Sequence, residues 1–151
     1  MPPSLRWDVF CRIVDNYGDA GVCWRLARQL HREHGLAVTL WIDDIAFLAR
    51  FVPGLAVDRA DQAAYGVRVR RLDSMSAHDL TLPDVVVEGF GCGLPDVYLA
   101  AMTEKPRSKD GSRRLMVRSN STVSTYRFVS SILKPLRLPR TDRSCNKTTR
   151  T

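Results

Sequence analysis

The sequence predicts an α/β fold built on a Rossmann-like, mostly parallel sheet over residues 5–104. Three observations lead there. Residues 36–42 (LAVTLWI) and 84–88 (DVVVE) are nearly unbroken apolar runs, as expected of strands covered on both faces. A helix-period pattern lies between the first strand-like run and the second, and strand, helix, strand in that order implies a right-handed βαβ crossover. Asp, Asn, Gly and Pro clusters separate the runs and supply turn chemistry.

The elements follow in chain order. Residues 6–14 (RWDVFCRIV) are rich in aromatic and β-branched side chains and read as the first strand. Residues 15–18 (DNYG) are a turn, and Asp19 is a good N-cap for a helix over 20–34. Val22, Leu26 and Leu30 form an apolar stripe in that helix, joined by Cys23 and Ala27. Arg25, Arg28, Gln29, Arg32 and Glu33 cover the other side. His31 and His34 fall in the last turn, and Gly35 is the expected C′ residue. After the second strand, Asp43-Asp44 caps a short helix that Pro53-Gly54 stops. Residues 66–72 (GVRVRRL) alternate and suggest an outer strand. Gly89, Gly91 and Gly93 follow the run at 84–88, and Pro95 opens a helix over 95–103.

Composition divides the chain near residue 105. Residues 1–105 hold 11 Lys/Arg and 14 Asp/Glu, whereas residues 106–151 hold 12 Lys/Arg and 2 Asp/Glu. The formal charge of +7 therefore belongs to the tail. The first part is expected to be one Rossmann-like domain. The second, 106–151, is expected to be a Ser/Arg-rich, largely disordered basic tail. No apolar run approaches the roughly 20 residues of a membrane span, and the N-terminus lacks a signal-peptide core, so a cytoplasmic location is expected. Cys11, Cys23, Cys92 and Cys145 form no C-x-x-C pair, which favours reduced thiols over zinc or disulfides.

Ligands of such sheets bind beyond the carboxyl ends of the strands. The loop at 15–19 and the loop at 88–93 should both lie there. Asp19 reads as an N-cap or as a functional carboxylate, and Asp15 as an Asx-turn or as its partner. Two acids at the positive end of a helix suit a cationic group rather than a phosphate. Glu88, at the end of a buried strand, is either bonded to neighbouring N–H groups or turned to function. G-x-G-x-G at Gly89, Gly91 and Gly93 is not the dinucleotide fingerprint. His31 and His34 lack further ligands and read as a solvated helix end. Cys11 and Cys23 read as buried thiols. Trp24 and Arg25 either reach the site or pack on the helix face.

The stretch from Trp7 to Leu30 (WDVFCRIVDNYGDAGVCWRLARQL) closely resembles the bacterial protein-arginine rhamnosyltransferases that mature elongation factor P. Residues 38–44 (VTLWIDD), 66–73 (GVRVRRLD) and 84–102 (DVVVEGFGCGLPDVYLAAM) are similar to the same family in the same order. The resemblance covers residues 6–104. It implies the N-terminal domain of a two-domain GT-B glycosyltransferase. That enzyme moves rhamnose from dTDP-rhamnose to an arginine of elongation factor P, with inversion and with no cofactor or metal. The family's two essential aspartates fall on Asp15 and Asp19, with Asp19 as proton acceptor and Asp15 orienting the guanidinium. Asn16, Tyr17, Gly18 and Glu88 are the substrate-binding candidates around them. Elongation factor P and a nucleotide sugar are the implied partners.

Residues 106–151 carry no motif of that family, which suggests a frameshifted or truncated reading frame and an inactive fragment. Two other readings stand beside the enzyme: a module that binds elongation factor P without catalysis, and a nucleic-acid binder using the basic tail. The second is disfavoured because the charge sits outside the predicted domain.

Overall fold

The computed structural model describes residues 5–14, 17–105 and 115–119; for Tyr17 and Ser119 the description is of backbone only. The chain order is β1 (Arg6–Cys11), α1 (Tyr17–His34), β2 (Ala37–Ile42), α2 (Ile45–Ala49), β3 (Asp61–Ala64), β4 (Val67–Arg71), β5 (Val85–Gly89), α3 (Asp96–Glu104) and β6 (Leu115–Ser119). Two 3₁₀ turns, Leu72–Ser74 and Ala77–Asp79, lie between β4 and β5. The strands form one six-stranded sheet in the order β3-β4-β2-β1-β5-β6. Every pairing is parallel except β3 with β4. The mixed α/β architecture with a mostly parallel sheet agrees with a Rossmann-like fold.

Period-2 alternation along β1 sorts its side chains onto two faces. Trp7, Val9 and Cys11 join Leu26, Ala27 and Leu30 of α1 and Ile45 and Leu48 of α2 in the larger core. Phe10 turns the other way, into a smaller core with Trp41, Val86 and Tyr98 of α3. Fully burying a side chain such as Leu26 stabilises by about 1.5–3 kcal/mol, so the stripe read from the sequence is what fastens α1 to the sheet. The helix ends as expected. Gly35 has φ +64 and its N–H donates to the His31 carbonyl at 2.9 Å, the αL form of helix cap, while the Leu36 N–H reaches the Leu30 carbonyl at 3.4 Å.

Four details differ from the sequence expectation. Helix α1 begins at Tyr17 rather than at residue 20, so Asp19 lies inside the first turn and is not the N-cap. Strand β4 is not the outer strand, because β3 pairs antiparallel outside it. Strand β3 reads Asp-Gln-Ala-Ala and offers no β-branched or aromatic signal. Finally, Leu115–Ser119, placed by composition in the basic tail, is the sixth strand and pairs with β5 from Val85↔Leu115 to Gly89↔Ser119. Its Leu-Met-Val run is short and flanked by arginines, so a charge count over the whole segment hides it. The other tail residues, 106–114 and 120–151, lie outside the described residues.

Candidate active site at the carboxyl edge of the sheet

The parallel strands reverse their order at β1, which has β2 on one side and β5 on the other. A crevice beyond the carboxyl ends of these strands is where open α/β sheets bind ligands. Three segments reach it: the exit of β1, the first turn of α1, and the loop after β5.

Asp19 is the acidic residue of the first turn of α1 and is partly buried. Its carboxylate lies where the N–H groups of a helix have no intrahelical acceptor and where the macrodipole favours negative charge. Gly18 beside it is exposed, with nothing within 4 Å of the position a Cβ would take. Asp15, Asn16 and the Tyr17 side chain lie outside the described residues. Val14, just before them, is 71% exposed.

Asp43 holds the exit of β1 in place. Both its carboxylate oxygens lie 3.2 Å from the Ile13 N–H, which donates to them. Asp44, next along, caps α2 by accepting from the Phe47 N–H at 2.9 Å. The adjacent acids at the end of β2 thus divide two tasks: one fixes the loop that leads to Asp19, the other starts a helix.

Glu88 is buried in β5, and its two oxygens are engaged within the domain. Oε1 accepts from the Gly93 N–H at 2.9 Å. Oε2 lies 2.9 Å from Nε of Arg118 on β6, an ion pair whose N–H is not aligned as a hydrogen bond. Between these contacts the chain makes a tight turn. The Cys92 N–H donates to the Gly89 carbonyl at 3.2 Å, and the two central residues, Phe90 and Gly91, have φ +55 and +63. This is the twist of a type I′ turn. A phenylalanine in the left-handed region costs about 1–2 kcal/mol. Such strain persists only where the surroundings over-determine it, and Glu88 does so by gripping Gly93 from below. Among the sequence alternatives for Glu88, the geometry is that of bonding to its neighbours.

Gly89 seats this turn on α1. A Cβ there would stand 2.7 Å from Cys23 Sγ and 2.9 Å from the Phe10 carbonyl oxygen. Replacing Gly89 with Ala should therefore destabilise the domain by about 1–3 kcal/mol through overpacking. Denaturant midpoints with and without Cys23→Ala check this: the second change should recover only part of the loss, because the Phe10 backbone remains in the way.

The thiols at this edge are held neutral. Cys11 is pushed well above its ordinary pKa by its hydrogen bond with Cys23 and by burial. Burial raises Cys92 to about 11, reinforced by the nearby Cys11 and Glu88. Thiols in that state are poor nucleophiles at neutral pH. Trp24 is buried and packs against Tyr65 rather than facing the crevice, and Arg25 is exposed on the outer helix face. Among the described residues, no group of three or more His, Cys, Asp or Glu side chains is gathered to hold a metal ion.

One polar centre has no counterpart in the sequence reading. Asp8, in the central strand β1, is buried on the α3 side of the sheet. Its Oδ2 accepts from Tyr98 Oη at 2.8 Å and from Trp41 Nε1 at 3.1 Å. Burial raises its pKa from 3.8 to about 6 against the pull of those two donors. The only available signal was an acid in the middle of a central strand, a position that demands buried partners.

Fold and edge together give an α/β domain whose mostly parallel sheet is compatible with a Rossmann-like fold, with an acidic residue in the first turn of the helix that follows β1. A sequence model described as elongation factor P (EF-P) rhamnosyltransferase EarP matches residues 7–114, and the chain belongs to this family. Protein-arginine rhamnosyltransferases of Pseudomonas putida and Pseudomonas aeruginosa are each 48% identical to it, over 104 and 106 residues. Those matches cover 69% and 67% of this chain and 27% of each relative. A relative with the same name from Neisseria meningitidis is 43% identical over 98 residues, 65% of this chain and 25% of its own. The chain thus spans about a quarter of the length of the curated relatives it matches.

Proposed function

We propose that this chain is the acceptor-side domain of an arginine rhamnosyltransferase with a GT-B fold. Residues 1–105 with β6 would form the first Rossmann-like unit, and a second domain would hold dTDP-rhamnose. The acceptor is an arginine of elongation factor P. The observation that carries the reading is the position of Asp19, in the first turn of α1 at the point where the strand order reverses.

The chemistry needs a carboxylate there. An arginine nitrogen is a poor nucleophile, because its lone pair is delocalised and the group stays protonated up to a pH above about 12. Asp19 takes a proton from the guanidinium as its nitrogen attacks the anomeric carbon of rhamnose. Asp15 orients the guanidinium through a charge-assisted bond. The dTDP leaving group departs from the opposite face of the sugar, which inverts the anomeric centre. Asn16, Tyr17 and Gly18 line the acceptor, and Glu88 shapes the crevice by holding the Gly89–Gly93 turn. No cofactor or metal enters this scheme. Among the described residues no helix is long and apolar enough to cross a membrane, which is compatible with the cytoplasmic location we propose.

A chimera tests the function. Residues 6–104 replace the matching segment of the Pseudomonas putida relative, and transfer of labelled rhamnose from dTDP-rhamnose to elongation factor P is measured. Robust transfer with inversion is expected. A folded chimera that transfers nothing would refute the assignment. The 151 residues alone, which span about a quarter of these relatives, should release no dTDP from the same donor.

A further inference from the structure

We propose that the outer face of α1 is a docking groove for an acidic protein surface, built from Arg25, Arg28 and Arg32 between aromatic walls. This deepens the function proposed above, since the acceptor protein would be the occupant. The groove encloses about 480 Å³ and is lined by Trp24, the three arginines and Phe51. The arginines stand three and four residues apart, so they share one helix face. Among the described residues, none of the three forms an ion pair. Arg25 and Arg32 are exposed, and Arg28 is half-buried.

Arg28 is held in place by rings. Its guanidinium carbon lies 4.8 Å from the Tyr65 ring centroid and 6.0 Å from that of Trp24, within cation–π range. Tyr65 reaches it from the turn between β3 and β4 in a left-handed conformation, φ +51. A turn of this kind ordinarily carries Asn, Asp or Gly at that position, and a tyrosine there is strained. Burial does not offset the strain, because the ring remains 54% exposed. The turn packs closely on α1. Gly66, at φ +82, lies so close to α1 that a Cβ would stand 2.1 Å from His31 Nε2. The hairpin therefore presents an exposed aromatic ring and a fixed cation, side by side. Phe51, 36% exposed, also lines the groove.

The chemistry of the groove selects a protein carboxylate over a nucleic acid. Arginine forks engage carboxylates through paired hydrogen bonds. Arg, Trp, Tyr and Phe are the residues enriched at protein interfaces. Residues 1–105 carry 14 acids against 11 basic residues, so the domain around the groove repels a polyanion while three local guanidiniums still attract discrete acids. Arg25 follows Asp19 by six residues, which is about 9 Å along a helix axis. A protein seated here extends to the crevice.

The full chain is titrated with purified elongation factor P, with a poly-glutamate peptide and with a single-stranded RNA oligonucleotide. Binding of elongation factor P should weaken about tenfold or more in Arg25→Glu/Arg32→Glu, fall with added salt, and fall less in Tyr65→Ala. The Arg25→Ala/Arg32→Ala pair decides the matter if the charge reversal does not fold. Arginine-dependent binding of poly-glutamate without binding of elongation factor P would keep the groove and remove the acceptor reading. Equal binding by wild type and arginine variants, binding of neither acidic probe, or arginine-dependent binding of RNA alone would overturn the proposal.

Discussion

Replacing Asp19 with Asn in the active chimera should lower rhamnose transfer by about two to four orders of magnitude, the usual contribution of a positioned general base. Asn keeps the size of the side chain but cannot take a proton. The helix should be little disturbed. Asp19 lies inside the first turn and not at the cap position, and a charge at the dipole's positive end contributes only about 0.3–1 kcal/mol. Folding and chemistry can therefore be separated. A far-ultraviolet spectrum and melting midpoint close to those of the parent should accompany the loss of turnover. The KM for elongation factor P should move much less than kcat, because the proton is transferred only as the new bond forms. Retained turnover would remove Asp19 from the role of base.

The second large effect belongs to stability. Asp8→Ala strips the acceptor from Tyr98 Oη and Trp41 Nε1 at once. Each buried donor left without a partner costs about 1–3 kcal/mol, against a typical total stability of about 5–15 kcal/mol. The alanine variant should thus be marginal or unfolded at room temperature. Asp8→Asn should behave oppositely at neutral pH, because the amide oxygen can accept the same two bonds without a buried charge. The folded protein holds the Asp8 proton up to about pH 6, whereas the unfolded chain releases it near 3.8. Between those values the native state binds more protons, so stability falls as pH rises through that window and stays lower above it. A shift of this size corresponds to about 3 kcal/mol. Urea denaturation of wild type and Asp8→Asn at pH 4 and pH 7 should show that fall in the wild type and its absence in the variant. Parallel curves would refute the assignment.

What the sequence made legible follows from the range of the interactions involved. The α1 stripe, its glycine stop and the apolar strands β2 and β5 are local patterns, and they lie where they were expected. Asp44 as the cap of α2 is local too. The start of α1 was missed by three residues because Tyr17 and Gly18 carry no strong boundary signal and an aspartate is as much at home in the first turn as at the cap. Strand β3 lacks side chains that announce a strand; it exists because β4 offers it an edge. Strand β6 was concealed by the arginines around it. Asp8 depends on Tyr98, 90 residues away, and on Trp41, 33 away; no pattern read along one strand can see either. The sequence placed the exits of β1 and β5 on one edge, and the two strands do run parallel. It could not show that Glu88 would be engaged by Gly93 and by Arg118 from a strand that composition had assigned to the tail.

The sheet order also has a history written into it. Among the described strands, β1 in the middle of the sheet is made before its neighbours, which emerge in a staggered sequence. Strand β2 comes after one helix, β5 only after the hairpin and both 3₁₀ turns, and β6 later still. Pairings of such long sequence separation are intrinsically slow to form. Until β5 arrives, one flank of β1 stands open with its apolar side chains, the kind of surface that draws nascent chains into aggregates or onto chaperones. The strand whose loop leads to Asp19 is thus made before the other described strands and closed in only once β5 has arrived. The yield of folded protein should depend on how quickly the later strands follow it.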